Sequence, residues 1–520
     1  MKRRDFVKNI SLASVATPFI LNDLKFQAIG KELFSTVKSA EGKVLIIIRL
    51  GGGNDGLNTV IPLDQYANLT IQRSNIIIPE SNILSLASNP TLGLHPSMTG
   101  MQSMFNNGKM GIIQNVGYPV QNRSHFRSSD IWHTGLMDPS ASTGWLGRDF
   151  DNSYPNFPAD YPNTTYTDPF AISMGSEVSS TCQGVMGNFS HSVEDPTDSF
   201  NLTESTQAND GTYFGSHMQY LSTIISQTNA YGSKVQASAT AGQSLSTLYD
   251  ANNPIAVQLR YIAKMISGGL KTKVYILNIN GFDTHDSQVS STNVTLGNHA
   301  DLLKKLSDAV RAFQDDLSLL NLEDRVAGMT YSEFGRQIAS NASLGTDHGD
   351  AAPLFLFGTC IGQLVVGPNP IIGNQIVDQE GINMQIDFRD VYASVLKNWF
   401  EVPEAEIQPL FEHQVTFYGF LNGCSVGLDE NSKDISKAIV FPNPAANQTT
   451  IRFNSQSEWV KIEILDLTGK SVATVFDGNL DKDTHSIPCD LTGVSSGQYI
   501  VTINKKSGVE MVKFMKVKAI

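Results

Sequence analysis

The chain lacks the features that mark several classes of protein. It has few cysteines and no CxxC pair, which excludes a disulfide scaffold and a cysteine-rich metal site. Basic residues are not in excess: 37 Lys and Arg against 50 Asp and Glu give a net charge of −13, which argues against a nucleic-acid-binding protein. No window is apolar for long enough to predict a transmembrane helix. One or two disulfide bridges, or buried free thiols, both remain compatible with the four cysteines, Cys182, Cys360, Cys424 and Cys489.

What is present is the composition of a globular protein. Of its 520 residues, 41% are hydrophobic and 17% are charged, which is enough for a sizeable core and excludes global disorder. The length predicts two or three domains, or one large domain with an appendage.

The N-terminus carries a targeting pattern. The segment MKRRDFVK places Arg3 and Arg4 before Phe6 and Lys8, and a short apolar stretch follows. It resembles a twin-arginine signal, which implies export in the folded state, often with a cofactor already loaded. We therefore expect residues 1–30 to be a signal peptide, although a basic N-terminus followed by a weak amphipathic helix would look similar.

Strands and helices alternate over residues 42–421. Short β-branched runs predict buried strands at residues 44–50, 111–116, 274–279, 326–331 and 353–358. Apolar residues at helical spacing predict helices at residues 96–107, 255–267, 298–320 and 389–400. This order indicates an α/β domain with a doubly wound, mostly parallel sheet. Residues 149–209 lack a clear period and are expected to form an irregular insertion, such as a lid or a substrate-facing loop.

The composition changes near the C-terminus. Residues 422–437 read as a polar linker, and residues 438–520 as a small antiparallel β-sandwich. The phrases FPNPAANQTTIRF, ILDLTGK and LTGVSSGQYIVTI resemble the type IX secretion sorting domain of Bacteroidetes. That resemblance implies contact with the export and type IX secretion machinery, and a route through the periplasm to the cell surface or the medium. A carbohydrate-binding sandwich is the alternative, but Trp459 and Tyr499 are interpreted as core residues and not as a sugar platform.

Acidic and imidazole side chains follow several of the predicted strands. Because strand ends in open α/β sheets converge on one crevice, we expect these side chains to meet there. Such a cluster would need a divalent metal, namely zinc, manganese or calcium, to offset its charge. Taken singly, each residue could equally be a cap or a turn. The candidate ligands are Asp55, Asp283, His285, Glu333 and His348.

A nucleophile candidate lies past the second strand. Ser124 precedes a helical run, where N–H groups and a partial positive charge favour an anion. Arg123 or Arg127 could pair with phosphate or sulfate oxygens, and His125 or His133 could donate a proton. A plain N-cap serine is the structural alternative.

Six motifs in order carry a family resemblance: GGGNDGLN, GLHP, VGYPVQNRSHFRSSDIWHTG, GFDTH, YSEFGR and GTDHG. Together they resemble the bacterial domain of unknown function 1501, grouped with the alkaline phosphatase/sulfatase superfamily. The resemblance implies hydrolysis of phosphate or sulfate esters, usually with two metals. Here Asp283 and His285 are spaced DxH instead of DxxxH, and Phe334 stands where a histidine is expected, so a two-metal site is in doubt.

Two functions follow from these observations. The first is an exported, metal-assisted hydrolase acting on an anionic ester. The second is a non-catalytic surface protein that uses a phosphatase-like fold to bind glycans or a partner protein. Metal content separates the two, because only the enzyme requires the ion.

Overall fold

The computed structural model describes residues 42–198, 202–203, 211–421, 438–441, 445–466, 470–506 and 508–517. The signal predicted for residues 1–30 and the linker predicted for residues 422–437 lie outside these ranges. The chain divides into two compact units, Met1–Leu428 and Asp429–Ile520.

The first unit alternates strands and helices. Its described strands are β1 Val44–Gly51, β2 Val60–Pro62, β3 Leu84–Leu86, β4 Asn89–Leu94, β5 Met110–Gly117, β6 Ala171–Met174, β7 Ser190–Val193, β8 Val274–Asn280, β9 Val326–Tyr331, β10 Ala352–Phe357, β11 Val365–Val366 and β12 Ile386–Asp387. Its described helices are α1 Gly56–Thr59, α2 Tyr66–Gln72, α3 Thr99–Asn106, α4 His125–Thr134, α5 Trp145–Ser153, α6 Tyr213–Ala241, α7 Pro254–Ser267, α8 Asn298–Leu319, α9 Phe388–Asn398 and α10 Glu404–Ile407.

A mostly parallel sheet organises this unit. Within the described residues it has nine strands in the order β11-β5-β10-β9-β1-β8-β6-β7, and β12 pairs with β5. Strand β1 lies parallel to both β8 and β9, whereas β10 runs antiparallel to β5 and β9. The predicted α/β class is therefore confirmed. Strands β2, β4 and β3 form a separate small sheet.

Strand β1 shows why the sheet is covered on both faces. Alternate side chains of a strand point to opposite faces, and Ile46 and Ile48 join one hydrophobic core whereas Leu45 and Ile47 join the other. Burial of each such side chain contributes roughly 1.5–3 kcal/mol. The first core includes residues of α3, α7 and α8, and the second includes residues of α4, α5 and α9.

The described part of residues 149–209 is more regular than its sequence suggested. It supplies β6 and β7, which extend the main sheet in parallel beyond β8. The strands are only four residues long, and β7 reads SHSV, which has no apolar run to reveal it. Helix α6, rich in Ser, Thr and Gln, was likewise not predicted.

The second unit is antiparallel throughout its described strands. These are β13 Ile439–Phe441, β14 Gln448–Ser455, β15 Glu458–Leu465, β16 Ser471–Leu480, β17 Asp483–Asp490, β18 Gly497–Lys505 and β19 Gly508–Lys516. They form the sheets β13-β14-β17 and β16-β15-β18-β19, and residues of both share one core, as expected for a sandwich. Tyr499 is buried, but Trp459 is 39% exposed and donates to Asp477, so its interpretation as a core residue was wrong.

The cysteines of the chain differ in whether they are disulfide-bonded or free. Cys360 is disulfide-bonded, whereas Cys182 and Cys489 are buried free thiols and Cys424 lies outside the described residues. Among the helices that the structure describes, none combines the length and apolarity needed to cross a bilayer.

Candidate metal centre

The carboxyl ends of the central strands lie level with one another. In the parallel pairing of β1 with β8, Gly51 is opposite Asn280, and in the pairing with β9, Arg49 is opposite Tyr331. Because β10 runs the other way, the loop that precedes it reaches the same edge. Side chains that follow β1, β8 and β9, or precede β10, therefore meet at one rim of the sheet.

Three histidines and one aspartate meet at this rim, and we call them the His–Asp cluster: His125, Asp283, His285 and His348. The Nε2 atoms of His285 and His348 each lie 3.2 Å from Oδ1 of Asp283, and that of His125 lies 3.4 Å from Oδ2. The two nitrogens of His285 and His348 are 2.9 Å apart. Ligand atoms of His125, Asp283 and His348 all lie within 4.8 Å of one another.

The opposite nitrogen of each ring is held by an oxygen acceptor. Nδ1 of His285 lies 2.7 Å from a carboxylate oxygen of Asp347. Nδ1 of His348 lies 2.8 Å from the carbonyl oxygen of Arg123, and Nδ1 of His125 lies 3.0 Å from Oε1 of Glu333. In the tautomer that satisfies these oxygens, Nδ1 carries the proton and the lone pair of Nε2 points inwards. Lone pairs that converge on a carboxylate repel one another unless a cation lies between them.

The cluster therefore fits a divalent metal ion. Three imidazole nitrogens and one carboxylate form a zinc-type donor set, and acceptors on the far nitrogens are what orient metal-binding histidines. Within the described residues, two buried atoms here also have no hydrogen-bond partner, Nε2 of His125 and Oε2 of Glu333. Unsatisfied buried polar atoms are costly, which supports a ligand at this position.

Arg336 joins the loops that carry the cluster. It is buried and donates to the carbonyl oxygens of Gly52, Gly53, Phe282 and Thr346. It also donates to Oδ1 of Asp283 at 2.6 Å. Burial raises the pKa of Asp283, but the hydrogen bond and positive charge of Arg336, together with the neighbouring His348, outweigh burial and lower that pKa to about 2. Asp283 is therefore a carboxylate at any physiological pH.

The glycines after β1 allow this close packing. Gly52 has φ of +122°, and a Cβ there would lie 2.3 Å from the backbone nitrogen of Asp283. Gly53 has φ of +83°, and its Cβ would lie 2.3 Å from the ring of Phe334. Only glycine adopts such conformations easily. Phe334 in turn packs against His125 and His348, with ring centroids 4.9 and 4.6 Å apart.

Glu333, predicted to be a ligand, supports the cluster by contacting Nδ1 of His125. Its side chain is 1% exposed, and Oε1 accepts from the backbone N–H of Gly52 at 2.8 Å as well as contacting His125. Arg49 approaches the same oxygen at 3.5 Å. Its described contacts make it an orienting residue for His125.

Asp55, also predicted to be a ligand, is instead a buried ion-pair partner. Arg73 binds its two oxygens at 3.0 and 2.9 Å, and Gln288 donates to Oδ2 at 2.6 Å. Asp55 also caps α1 through Leu57. Burial raises its pKa, but Arg73, His299 and Gln288 bring it below the usual value. The residue secures the loop after β1 and lies outside the cluster.

Ser124, the candidate nucleophile, is the exposed N-cap residue of α4, directly before His125. Its side chain makes no capping hydrogen bond. The proposed anion-binding arginines are engaged elsewhere: Arg123 pairs with both oxygens of Asp350, and Arg127 donates to the carbonyl of Met137. His125, expected to donate a proton, has Nδ1 on Glu333 and Nε2 facing Asp283 without a hydrogen bond, and burial lowers the pKa of His133 to about 4.

Three important residues were not assigned these roles from the sequence. Arg73 and Arg336 neutralise carboxylates, and His125 faces Asp283. Arg336 stands within the YSEFGR motif. Its positive charge among acids that follow the strands was the signal that could have indicated its role. Arg73 offered none, because it lies between the GGGNDGLN and GLHP motifs, where the sequence predicted no element.

Several solved structures resemble the chain. They include the PsFucS1 sulfatase from Pseudoalteromonas sp. (9% identity, TM-score 0.31, 90% of this chain and 88% of that one). The phosphonate monoester hydrolase SpPMH from Silicibacter pomeroyi shows 7% identity and a TM-score of 0.30, and the match covers 91% of this chain and 88% of that one. An alkaline phosphatase superfamily protein from Vibrio parahaemolyticus shows 8% identity and a TM-score of 0.27, with 88% of each chain covered. At these values the resemblance carries no conclusion about activity.

Family models give the clearer comparison. No curated protein is similar enough to this chain to count as a relative. Residues 439–518 match the secretion system C-terminal sorting domain, which confirms the resemblance of the tail and supports export to the cell surface or beyond. Residues 42–411 match the protein of unknown function model DUF1501, and the chain belongs to that family.

Proposed function

We propose that the protein is an exported, metal-assisted hydrolase of phosphate or sulfate esters. The observation that carries the proposal is the inward orientation of three imidazole Nε2 atoms around Asp283, next to an exposed serine at the start of a helix. The nitrogen-rich donor set favours zinc over manganese and calcium, which prefer oxygen ligands.

Ser124 is the proposed nucleophile. Its hydroxyl oxygen forms a bond to phosphorus or sulfur as the bond to the alcohol oxygen breaks, and the alcohol leaves with a proton. Water then cleaves the seryl ester, so that one water is consumed and the hydroxyl is restored. The N-terminus of α4 favours the anion that Ser124 attacks. A divalent ion held by the His–Asp cluster would lower the pKa of the attacking hydroxyl and withdraw charge from the transferring group.

Metal analysis and turnover test this proposal together. The purified full chain, loaded with ZnCl₂ or MnCl₂, is expected to hold metal and to cleave p-nitrophenyl phosphate or sulfate. Ser124→Ala should keep the metal and lose at least about 10³-fold in turnover, as for other nucleophile deletions. Asp283→Asn should lose the metal. Ser233→Ala, an exposed serine on α6, is the matched control.

A metal-loaded chain that cleaves neither ester would refute the proposal. A folded chain that binds no metal would favour the alternative of a non-catalytic surface protein that binds glycans or a partner protein.

We further propose the export route: a twin-arginine signal carries the folded chain to the periplasm, and the type IX machinery carries it outwards. Support comes from the residues Arg3 and Arg4 and from the sorting domain. Replacing both arginines by lysine should retain the chain in the cytoplasm of its host, whereas Lys8→Arg should not. Unchanged export of the double variant would contradict the first step.

A further inference from the structure

A cavity lies on the solvent-facing side of α7, and none of its lining residues belongs to the His–Asp cluster. Its volume is about 240 Å³, which suits a ligand of one ring better than the larger molecules held by pockets of roughly 300–1,000 Å³. Helix α7 forms one wall with residues at positions i, i+3, i+4 and i+7, which share a helix face. The segment before α7 forms the other wall. The lining residues include Tyr249, Asp250, Val257, Arg260, Tyr261 and Lys264.

Hydrogen bonds hold both walls of the cavity in place. Asn253 follows the segment before α7, caps that helix, and donates its amide to the carbonyl oxygen of Lys305 at 2.8 Å. Across the cavity, the hydroxyl of Tyr261 donates to Oδ2 of Asp195 at 2.8 Å, which fixes the ring. Binding therefore requires little ordering of the protein, and this favours affinity.

The cavity combines charged hydrogen-bonding groups with aromatic surface. Arg260 is exposed and Lys264 is half-buried, and within the described residues neither side chain has a hydrogen bond or an ion pair. Asp250 adds a carboxylate beside them. The rings of Tyr249 and Tyr261 pack against the first core on one side and line the cavity on the other.

The charges around the cavity favour a neutral ligand. An anion is disfavoured because four carboxylates surround the two cations, namely Asp195, Asp250, Asp315 and Asp316. A cation is disfavoured because Arg260 and Lys264 line the cavity directly. A neutral ligand with several hydroxyl groups meets neither repulsion, and it can accept hydrogen bonds from the cations and donate them to Asp250.

We infer that this cavity binds one hexose ring of a neutral glycan. A sugar ring places the C–H groups of one face against aromatic rings and exchanges hydrogen bonds through its hydroxyl groups, which are the two kinds of contact that the cavity offers. The inference goes beyond the proposed function and does not depend on it, because the cavity has its own residues on α7. It gives the exported chain a means to stay on a glycan surface.

Saturation-transfer difference NMR on the full chain tests the inference with the methyl glycosides of glucose, galactose, mannose and N-acetylglucosamine. At least one glycoside is expected to bind through its ring protons. Arg260→Ala, at an exposed position, should weaken that binding at least about tenfold, since hydrogen bonds from charged groups are the strong ones. Arg311→Ala, at an exposed position of α8 next to α3, is the matched control and should bind as the native chain does.

Two variants of Tyr261 separate the ring from the hydroxyl group. Tyr261→Phe keeps the aromatic face and should bind within about threefold of the native chain, whereas Tyr261→Ala should lose at least about tenfold. Circular dichroism checks that each variant folds. Metal content and turnover of Arg260→Ala should equal those of the native chain, so that a failure of this inference leaves the hydrolase proposal standing.

Three outcomes would overturn the inference. The first is that none of the four glycosides binds, and the second is that binding survives in both Arg260→Ala and Tyr261→Ala. The third is that sodium sulfate binds more tightly than every glycoside and loses its binding in Arg260→Ala, which would make the cavity an anion site.

Discussion

Nδ1 of His125 lies 3.0 Å from Oε1 of Glu333, and the same oxygen accepts the backbone N–H of Gly52. One buried carboxylate thus fixes both the ring that faces Asp283 and the loop that follows β1. Such supporting contacts are what orient metal-binding histidines.

Glu333→Gln should therefore weaken metal binding without unfolding the chain. The amide is nearly isosteric but uncharged, so it holds the proton of Nδ1 less strongly, and we expect the affinity for ZnCl₂ to fall by about 10- to 100-fold. Competition with a chelator measures the change. Glu404→Gln, at an exposed position of α10, should have no effect. An unchanged affinity in Glu333→Gln would show that His125 does not depend on this contact.

Gly52 controls how closely the loop after β1 approaches Asp283. Gly52→Ala should lower both thermal stability and metal affinity, because its Cβ would lie 2.3 Å from the backbone nitrogen of Asp283. Gly175→Ala is a matched control: Gly175 has a similar φ of +130°, but nothing lies within 4 Å of its Cβ. Both variants carry the backbone strain of a positive φ.

The comparison isolates the steric contact from that strain. Differential scanning calorimetry and metal titration should show a larger loss of stability in Gly52→Ala, and a loss of metal affinity in that variant alone. Equal behaviour of the two would mean that the approach of Gly52 to Asp283 is not needed.

Most of the main sheet was predictable from sequence because its strands are buried on both faces. A run such as VLIIIRL has one structural explanation, and β1 indeed extends from Val44 to Gly51. Strands β6 and β7 and helix α6 were missed for the opposite reason. Their sequences are short or polar, and their structure depends on neighbours that are distant in sequence.

The centre was predictable only in part. Asp283, His285 and His348 could be grouped because strand ends converge, but the same reasoning also grouped Asp55 with them. Local sequence does not reveal that Arg73, 18 residues away, takes both oxygens of Asp55. Likewise, the role of His125 depends on Glu333, which lies 208 residues further on.

The pair of Asp55 and Arg73 should stabilise the fold and leave metal binding unaffected. Asp55→Asn leaves a buried guanidinium without its charge partner, which costs about 3–5 kcal/mol in the free energy of unfolding. Asp308→Asn, which breaks the surface ion pair of Asp308 with Lys304 on α8, should cost less than about 1 kcal/mol in the free energy of unfolding. Urea denaturation measures both values, and elemental analysis should find the metal retained in each.

The effect of Asp55 should also depend on pH. Although burial raises its pKa, Arg73 brings the pKa below the usual value, so the unfolded chain binds the proton first. The stabilisation is therefore complete above the usual aspartate pKa and is lost as the pH falls through the folded-state pKa. The difference between the native chain and Asp55→Asn should shrink in acid. A difference that grew as the pH fell would show that the carboxyl is protonated in the fold.

Arg336 should resist even its most similar substitution. Arg336→Lys keeps the positive charge but cannot reproduce a guanidinium that donates to four backbone carbonyls and Asp283. Carbonyls left without a donor in a buried place each cost about 1–3 kcal/mol, so we expect a loss of roughly 2–4 kcal/mol in the free energy of unfolding.

Arg389→Lys provides the matched comparison for Arg336→Lys. Arg389 is similarly buried, but among the described residues its side chain donates hydrogen bonds only to the carboxylate of Asp387, at 2.8 and 2.6 Å. Lysine can keep that ion pair, so the loss should be smaller. If instead Arg336→Lys proved the milder variant, the backbone carbonyls around Arg336 would have to find other donors. The loops that carry Gly52, Asp283 and Thr346 would then be held together by contacts other than this guanidinium.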